Sequence, residues 1–165
     1  MIEIFLKKVV SGGQTGVDRA ALDFANRCGL PSGGWCPKGR RAIDGPIPEQ
    51  YSNMKETPSA SYSQRTEWNI RDSDGTLIIS RGVLNGGTAL TNRLAKTMGK
   101  PCLILDMDYV DIKKEAACNM LNSWIMQNSI HILNVAGPRE RDNAGIYKEA
   151  LNFLVEFWKD TRCRF

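Results

Sequence analysis

Short apolar segments recur at 4–10, 34–36, 75–80, 102–106 and 131–135, and between them apolar residues return at helical spacing. Segments this short, with little polar alternation, are what strands buried on both faces of a parallel sheet look like. The intervening stripes are Val17, Ala21, Phe24, Ala25 and Cys28; Leu90, Leu94 and Met98; Ile112, Ala116, Met120, Leu121 and Trp124; and Ile146, Ala150, Phe153, Leu154 and Phe157. Each reads as the core face of a helix. Gly29 suits the left-handed position after the first helix, and Gly99 and Pro101 end the second. Strands alternating with helices predict an α/β sandwich with right-handed crossovers.

The chain has 165 residues, enough for one domain and one core. No repeat or linker divides it, so 1–160 is read as a single ligand-binding domain and 161–165 as a frayed tail. Residues 37–61 break the rhythm. They include PKGRRAIDGPIPEQY and read as a long ordered loop, the kind of segment that often carries function. No apolar run is long enough to span a bilayer, and MIEIFLKKVV lacks the basic start of a signal peptide, so a cytoplasmic protein is expected. Lysine and arginine exceed aspartate and glutamate by 22 − 18 = 4. That mild, dispersed excess favours a small anionic ligand over nucleic acid. The five cysteines make no CxxC pair, and His131 is the only histidine. Most Cys–His and Ser–His–Asp enzymes are thereby excluded, and reduced, mostly buried thiols are the expectation.

The candidate site lies on glycine loops. SGGQTGVDR follows the first strand and opens a helix. Such a junction gathers backbone N–H groups at the positive end of a helix dipole, which suits phosphate. The loop matches neither GxGxxG nor a Walker A loop. Asp18, in the first helical turn, is placed either to partner the helix dipole or to hold Mg²⁺ or a ligand hydroxyl, and Arg19 follows it. A second loop, RGVLNGGTALT, sets Gly86, Gly87 and Thr88 after the strand at 75–80. In a parallel sheet both loops face one crevice. Arg139, in AGPRERDNAGIY, emerges after the strand at 131–135. On the helix read over 62–73, Arg65, Asn69 and Asp72 share one face and point to a ligand-facing role. Lys38, Arg40 and Arg41 form the one local basic cluster and are read as neutralising further anionic charge.

Taken in order, SGGQTGVDRAALDFA, GGWCPKGRRAIDGPIPEQY, RTEWNIRDSDGTLI, NGGTALT and LNVAGPRE resemble the molybdenum cofactor carrier family over most of residues 9–147. That family is similar to a Rossmann-like group that also contains the LOG-type nucleotide phosphoribohydrolases. The resemblance implies a Rossmann-like three-layer sandwich with a mostly parallel central sheet. It also implies homo-oligomeric assembly, and binding of a phosphorylated molybdopterin for delivery to molybdoenzyme apoproteins. Carried over by position, Gly12, Gly13, Gln14, Thr15 and Gly16 would face phosphate, with Gly86, Gly87 and Thr88 opposite.

Two other functions stay open beside the carrier: a nucleotide-binding sensor, and a LOG-like hydrolase. LOG-type proteins carry PGGxGTxxE, and matching its last GT to Gly87 and Thr88 puts Thr91 where the glutamate stands. Threonine cannot act as a carboxylate acid or base, so a non-catalytic protein is expected. Cys36 is not expected to bind molybdenum, because a dithiolene already supplies soft sulfur. Trp35 is read as core, and Trp124, Tyr147 and Trp158 as core or subunit contacts.

Overall fold

The computed structural model describes residues 6–163. The first strand, β1, covers Lys8–Val10, and residues 4–5 of the expected strand lie outside the described part. It is followed by α1 (Val17–Arg27), β2 (Ser32–Cys36), β3 (Arg41–Ala42), β4 (Gly45–Pro46), β5 (Met54–Glu56) and α2 (Tyr62–Arg71). Then come β6 (Gly75–Ser80), α3 (Gly86–Thr97), β7 (Cys102–Asp106), α4 (Met107–Ile112), α5 (Lys114–Gln127), β8 (Ile132–Ala136) and α6 (Ile146–Cys163). Among the described residues no helix is long and apolar enough to cross a membrane.

The main sheet has the order β5-β2-β1-β8-β6-β7, and all its pairings are parallel. Side chains alternate across it. Val9, Leu77, Ile79, Leu105, Leu133 and Val135 face a core closed by α1, α4, α5 and α6. The opposite face meets α2 and α3 and is more polar. There the buried Asn134 Nδ2 donates to Thr76 Oγ1 at 3.1 Å, tying β8 to β6. This is the Rossmann-like α/β sandwich that the alternation and the resemblance implied.

The order of the strands locates the functional end. Counting from β6 through β7 and β8 and on into β1, β2 and β5 turns the spatial order into 2-1-3-4-5-6. That is the doubly wound order, whose ligand crevice opens where the winding reverses, between its strands 1 and 3. In this chain those strands are β6 and β8.

Four expectations need correction. The segment 37–61 is not only loop. It holds a 3₁₀ turn at Lys38–Arg40, a two-stranded antiparallel hairpin of β3 and β4, and β5 at the sheet edge. These strands are two or three residues long and carry prolines and glycines, so they have no local signature. The stripe from Ile112 to Trp124 is not one core face: Ile112 ends α4 at 78% exposure and Met120 is also exposed. The buried side of α5 is Ala117, Cys118, Leu121 and Ile125. Leu90, Leu94 and Met98 are half-buried, because α3 covers the edge strand β7 incompletely and leaves Ile104 exposed. Finally, α6 runs to Cys163, and Thr161 is buried with its Oγ1 donating to the Phe157 carbonyl at 2.7 Å. The tail expected at 161–165 therefore starts inside a helix.

Candidate functional site

A cavity of about 550 Å³ opens at the carboxyl ends of β6 and β8, within the range of small-ligand sites. Its walls are the β6–α3 connection with the first turns of α3, the β8–α6 connection, and the start of α2. Of the residues expected from the sequence, Gln14, Asp18, Arg65, Gly86, Gly87, Thr88 and Arg139 line it. The structure thus joins both glycine loops and the third connection at one crevice.

The two glycine loops play unequal parts. Asn85 is the N-cap of α3, yet its side chain makes no bond back to the helix. Asn85 carbonyl accepts only from the N–H groups of Thr88 and Ala89, each at 3.1 Å. Gly86 and Gly87 line the cavity as the first two residues of the 12-residue α3, where main-chain N–H groups have no intrahelical acceptor and the helix dipole is positive. A Cβ on Gly87 would meet nothing within 4 Å. Beside them, Ser80 ends β6; it is 3% exposed, lines the cavity, and its Oγ has no hydrogen-bond partner. A buried hydroxyl without a partner carries a desolvation cost that a bound polar group would offset.

The SGGQTG loop is instead a packing junction. A Cβ on Gly12 would lie 1.9 Å from Arg65 Nη1, on Gly13 2.7 Å from Ile47 Cδ1, and on Gly16 2.4 Å from the Pro138 carbonyl. These glycines exist so that a guanidinium, the small core around Ile47 and Met54, and the β8–α6 connection can each approach the backbone. Gln14 Oε1 accepts from the Thr15 and Ile43 N–H groups at 3.1 and 3.0 Å, and so bonds the loop to the β3–β4 hairpin. Gly12, Gly13, Thr15 and Gly16 do not line the cavity.

Asp18 is the buried centre of that junction. Its Oδ2 accepts from Gln14 N–H at 3.2 Å and from Arg65 Nη1 at 3.3 Å, while Ser11 Oγ donates to its carbonyl at 2.8 Å. Burial pushes its carboxyl above the usual 3.8, and the Arg65 and Arg19 charges pull against that shift. A carboxylate already engaged by a guanidinium and a main-chain N–H is poorly suited to Mg²⁺. Among the described residues no group of three or more His, Cys, Asp or Glu side chains could hold a metal ion.

Several expected ligand-facing residues are clamps elsewhere. Arg19 pairs with Asp44 at 2.6 and 2.8 Å and holds that carboxyl below its ordinary range, while its Nε donates to the Gly13 carbonyl. Arg40 donates to the carbonyls of Ile47, Pro48 and Tyr51 and so laces the 37–61 segment together. Asn69 accepts from Trp35 N–H at 2.8 Å and donates to the Trp35 carbonyl at 2.9 Å, and Asp72 accepts from the Trp35 indole N–H. Lys38 is exposed on the 3₁₀ turn, away from the cavity. Arg41 stacks over the Tyr62 ring at 4.7 Å. Trp35 is not buried core: it is half-buried, edge-on to Trp68 at 4.7 Å.

Sequence reasoning missed Ser80, Arg81 and Val83, all at the cavity wall. Arg81 is gripped by Asp108, by Asp111 at 3.0 Å and by Glu149 at 2.8 Å. Arg139 pairs with Asp142 at 2.7 Å. The signal that could have found Ser80, Arg81 and Val83 is their position at and just beyond the carboxyl end of the buried strand β6. Thr91, at the position of the LOG-type glutamate, is 4% exposed and donates from Oγ1 to the Gly87 carbonyl at 2.9 Å. No carboxylate stands there.

Comparison with known proteins agrees with this geometry. Residues 9–158 match the family described as the circularly permutated YpsA SLOG family, and a permuted order is what the sheet displays. A crystal structure of a protein named "Putative molybdenum carrier protein" from Syntrophus aciditrophicus is similar at 49% identity and a TM-score of 0.87, over 93% of this chain and 94% of that one. No curated protein matches. With its strand order, its cavity at the β6–β8 reversal and a family match over nearly its whole length, the chain belongs to the circularly permutated YpsA SLOG family.

Proposed function

We propose that this protein binds and carries molybdenum cofactor, holding the terminal phosphate of the molybdopterin at the start of α3. One observation carries the reading: Gly86 and Gly87, the first two residues of α3, and Ser80, whose buried Oγ has no hydrogen-bond partner, line one cavity. Phosphate supplies acceptors for all three, and the α3 dipole favours its charge. The similarity to a structure named as a molybdenum carrier supports the choice of ligand. A carrier needs a shielded, charge-matched pocket and no acid–base pair, which fits a threonine at position 91. In this reading the protein is a cytoplasmic homo-oligomer that yields its cargo to molybdoenzyme apoproteins.

The test is direct. Protein purified from its own host is denatured, and the released small molecules are identified by mass spectrometry with metal analysis. A phosphorylated pterin with molybdenum near one per chain is the expected result. A nucleotide without molybdenum would turn the assignment to a nucleotide sensor. In parallel, Gly87→Asp places a carboxylate in open space at the anion position. It should abolish ligand retention while leaving the fold intact, and retained ligand in that variant would remove α3 from the site.

A further inference from the structure

The β6–α3 connection has a property that phosphate binding does not use. Val83 is 84% exposed, the highest value among the large apolar side chains described, and yet it lines the cavity. Leu84 and Leu90 line the same wall. Val83 and Leu84 lie between Gly82 at φ +72° and Gly86 at φ +49°, and a Cβ on either glycine would meet nothing within 4 Å. Glycine at both positions lets the backbone take these left-handed turns. The root of the segment is held, because Arg81 is bound to Asp108 and Asp111 on α4 and to Glu149 on α6. The result is an exposed apolar segment bounded by two glycine turns and rooted at Arg81.

We propose that Val83 and Leu84 form a flap that closes on the flat ring of a heteroaromatic phosphate ester. The inference rests on the phosphate position proposed above. Val83 is three residues from Gly86, a reach of roughly 10 Å, so the flap meets the part of the ligand one sugar or short linker away from its phosphate. The base of the segment is net negative, one arginine facing three carboxylates. Arg81, two residues before Val83, is already engaged by three carboxylates, so a second phosphate gains little there and a neutral ring face gains apolar contact.

Titration calorimetry of the full chain with ribose 5-phosphate, AMP and GMP tests this. The purine nucleotides serve as flat-ring probes, and ribose 5-phosphate reports the anion site alone. Wild type should bind the nucleotides at least about tenfold more tightly than ribose 5-phosphate, and Val83→Ser should reduce that advantage by about fivefold without changing ribose 5-phosphate affinity. Gly82→Val, which cannot adopt the positive φ without strain, should act in the same way, and Gly82→Asn should retain most of the advantage. Nucleotides binding no better than ribose 5-phosphate would overturn the flap and leave the anion site standing. Equal loss of all three ligands in Val83→Ser would also overturn it. Failure of wild type to bind ribose 5-phosphate would instead remove the anion site, and the flap with it.

Discussion

Two residues of the first glycine loop show how far a residue's type can mislead about its task. Gly13 sits at φ +75° with Ile47 Cδ1 2.7 Å from where a Cβ would be. From sequence, Gly13→Asp should block an anion and spare the fold. In the structure it should instead cost about 2–4 kcal/mol, from backbone strain and overpacking of the small core. Urea denaturation measures this, and a wild-type midpoint would mean that the loop can move away from Ile47. Asp18 gives a pH signature. Folding raises its carboxyl pKa above 3.8, so the folded chain holds this proton more tightly than the unfolded chain does. Its contribution to stability must therefore fall as pH rises from 3.8 through the raised value. Asp18→Asn cannot titrate there, so wild-type stability relative to this variant should decline across that window. A flat difference would mean that the Arg65 and main-chain bonds cancel the effect of burial. Polarity made Arg19, Arg40 and Asn69 look like ligand contacts, because sequence shows a polar group but not its partner. Each partner lies six or more residues away, and in the case of Asn69 on another element.

At the scale of elements, legibility followed the range of the interactions. Helix α1 was readable, down to the glycine after it, because its apolar spacing and its stop are local. The hairpin of β3 and β4 and the edge strand β5 were not. Their order comes from distant anchors: Arg40 on three carbonyls, Gln14 on Ile43, and the Tyr51 hydroxyl on Asp23 at 2.9 Å. Asp23 also accepts from the Tyr147 hydroxyl at 2.5 Å, so a single carboxylate on α1 ties the 37–61 segment to α6. Burial and this neighbouring carboxylate push the Tyr147 phenol up to about 12. Asp23→Ala should destabilise the protein by about 1–3 kcal/mol, since two charge-assisted hydrogen bonds are lost. It should also make the peptide bonds of 37–61 the first sites of limited proteolysis. Unchanged cleavage kinetics would show that Arg40 and Gln14 hold the segment unaided.

The whole molecule is a doubly wound sheet read from an unusual starting point. If the order β6-β7-β8-β1-β2-β5 is what matters, the place where the chain is cut is secondary. A chain recut within the exposed run at Ser59–Ser61, with its present ends joined by a flexible linker, should fold and keep ligand affinity within about twofold. Loss of affinity with the fold intact would show that the present connectivity shapes the cavity. One further feature follows from the same order. The last strand among the described residues, β8, is inserted between β1 and β6 and is the only sheet contact described between the two halves. Until Ile132–Ala136 leave the ribosome, β1 and β6 lack the strand that pairs with both. The cavity, which opens at the carboxyl ends of β6 and β8, is not formed either. A ligand can then be held there only once β8 has been added, so a chain lacking this strand binds nothing at that crevice.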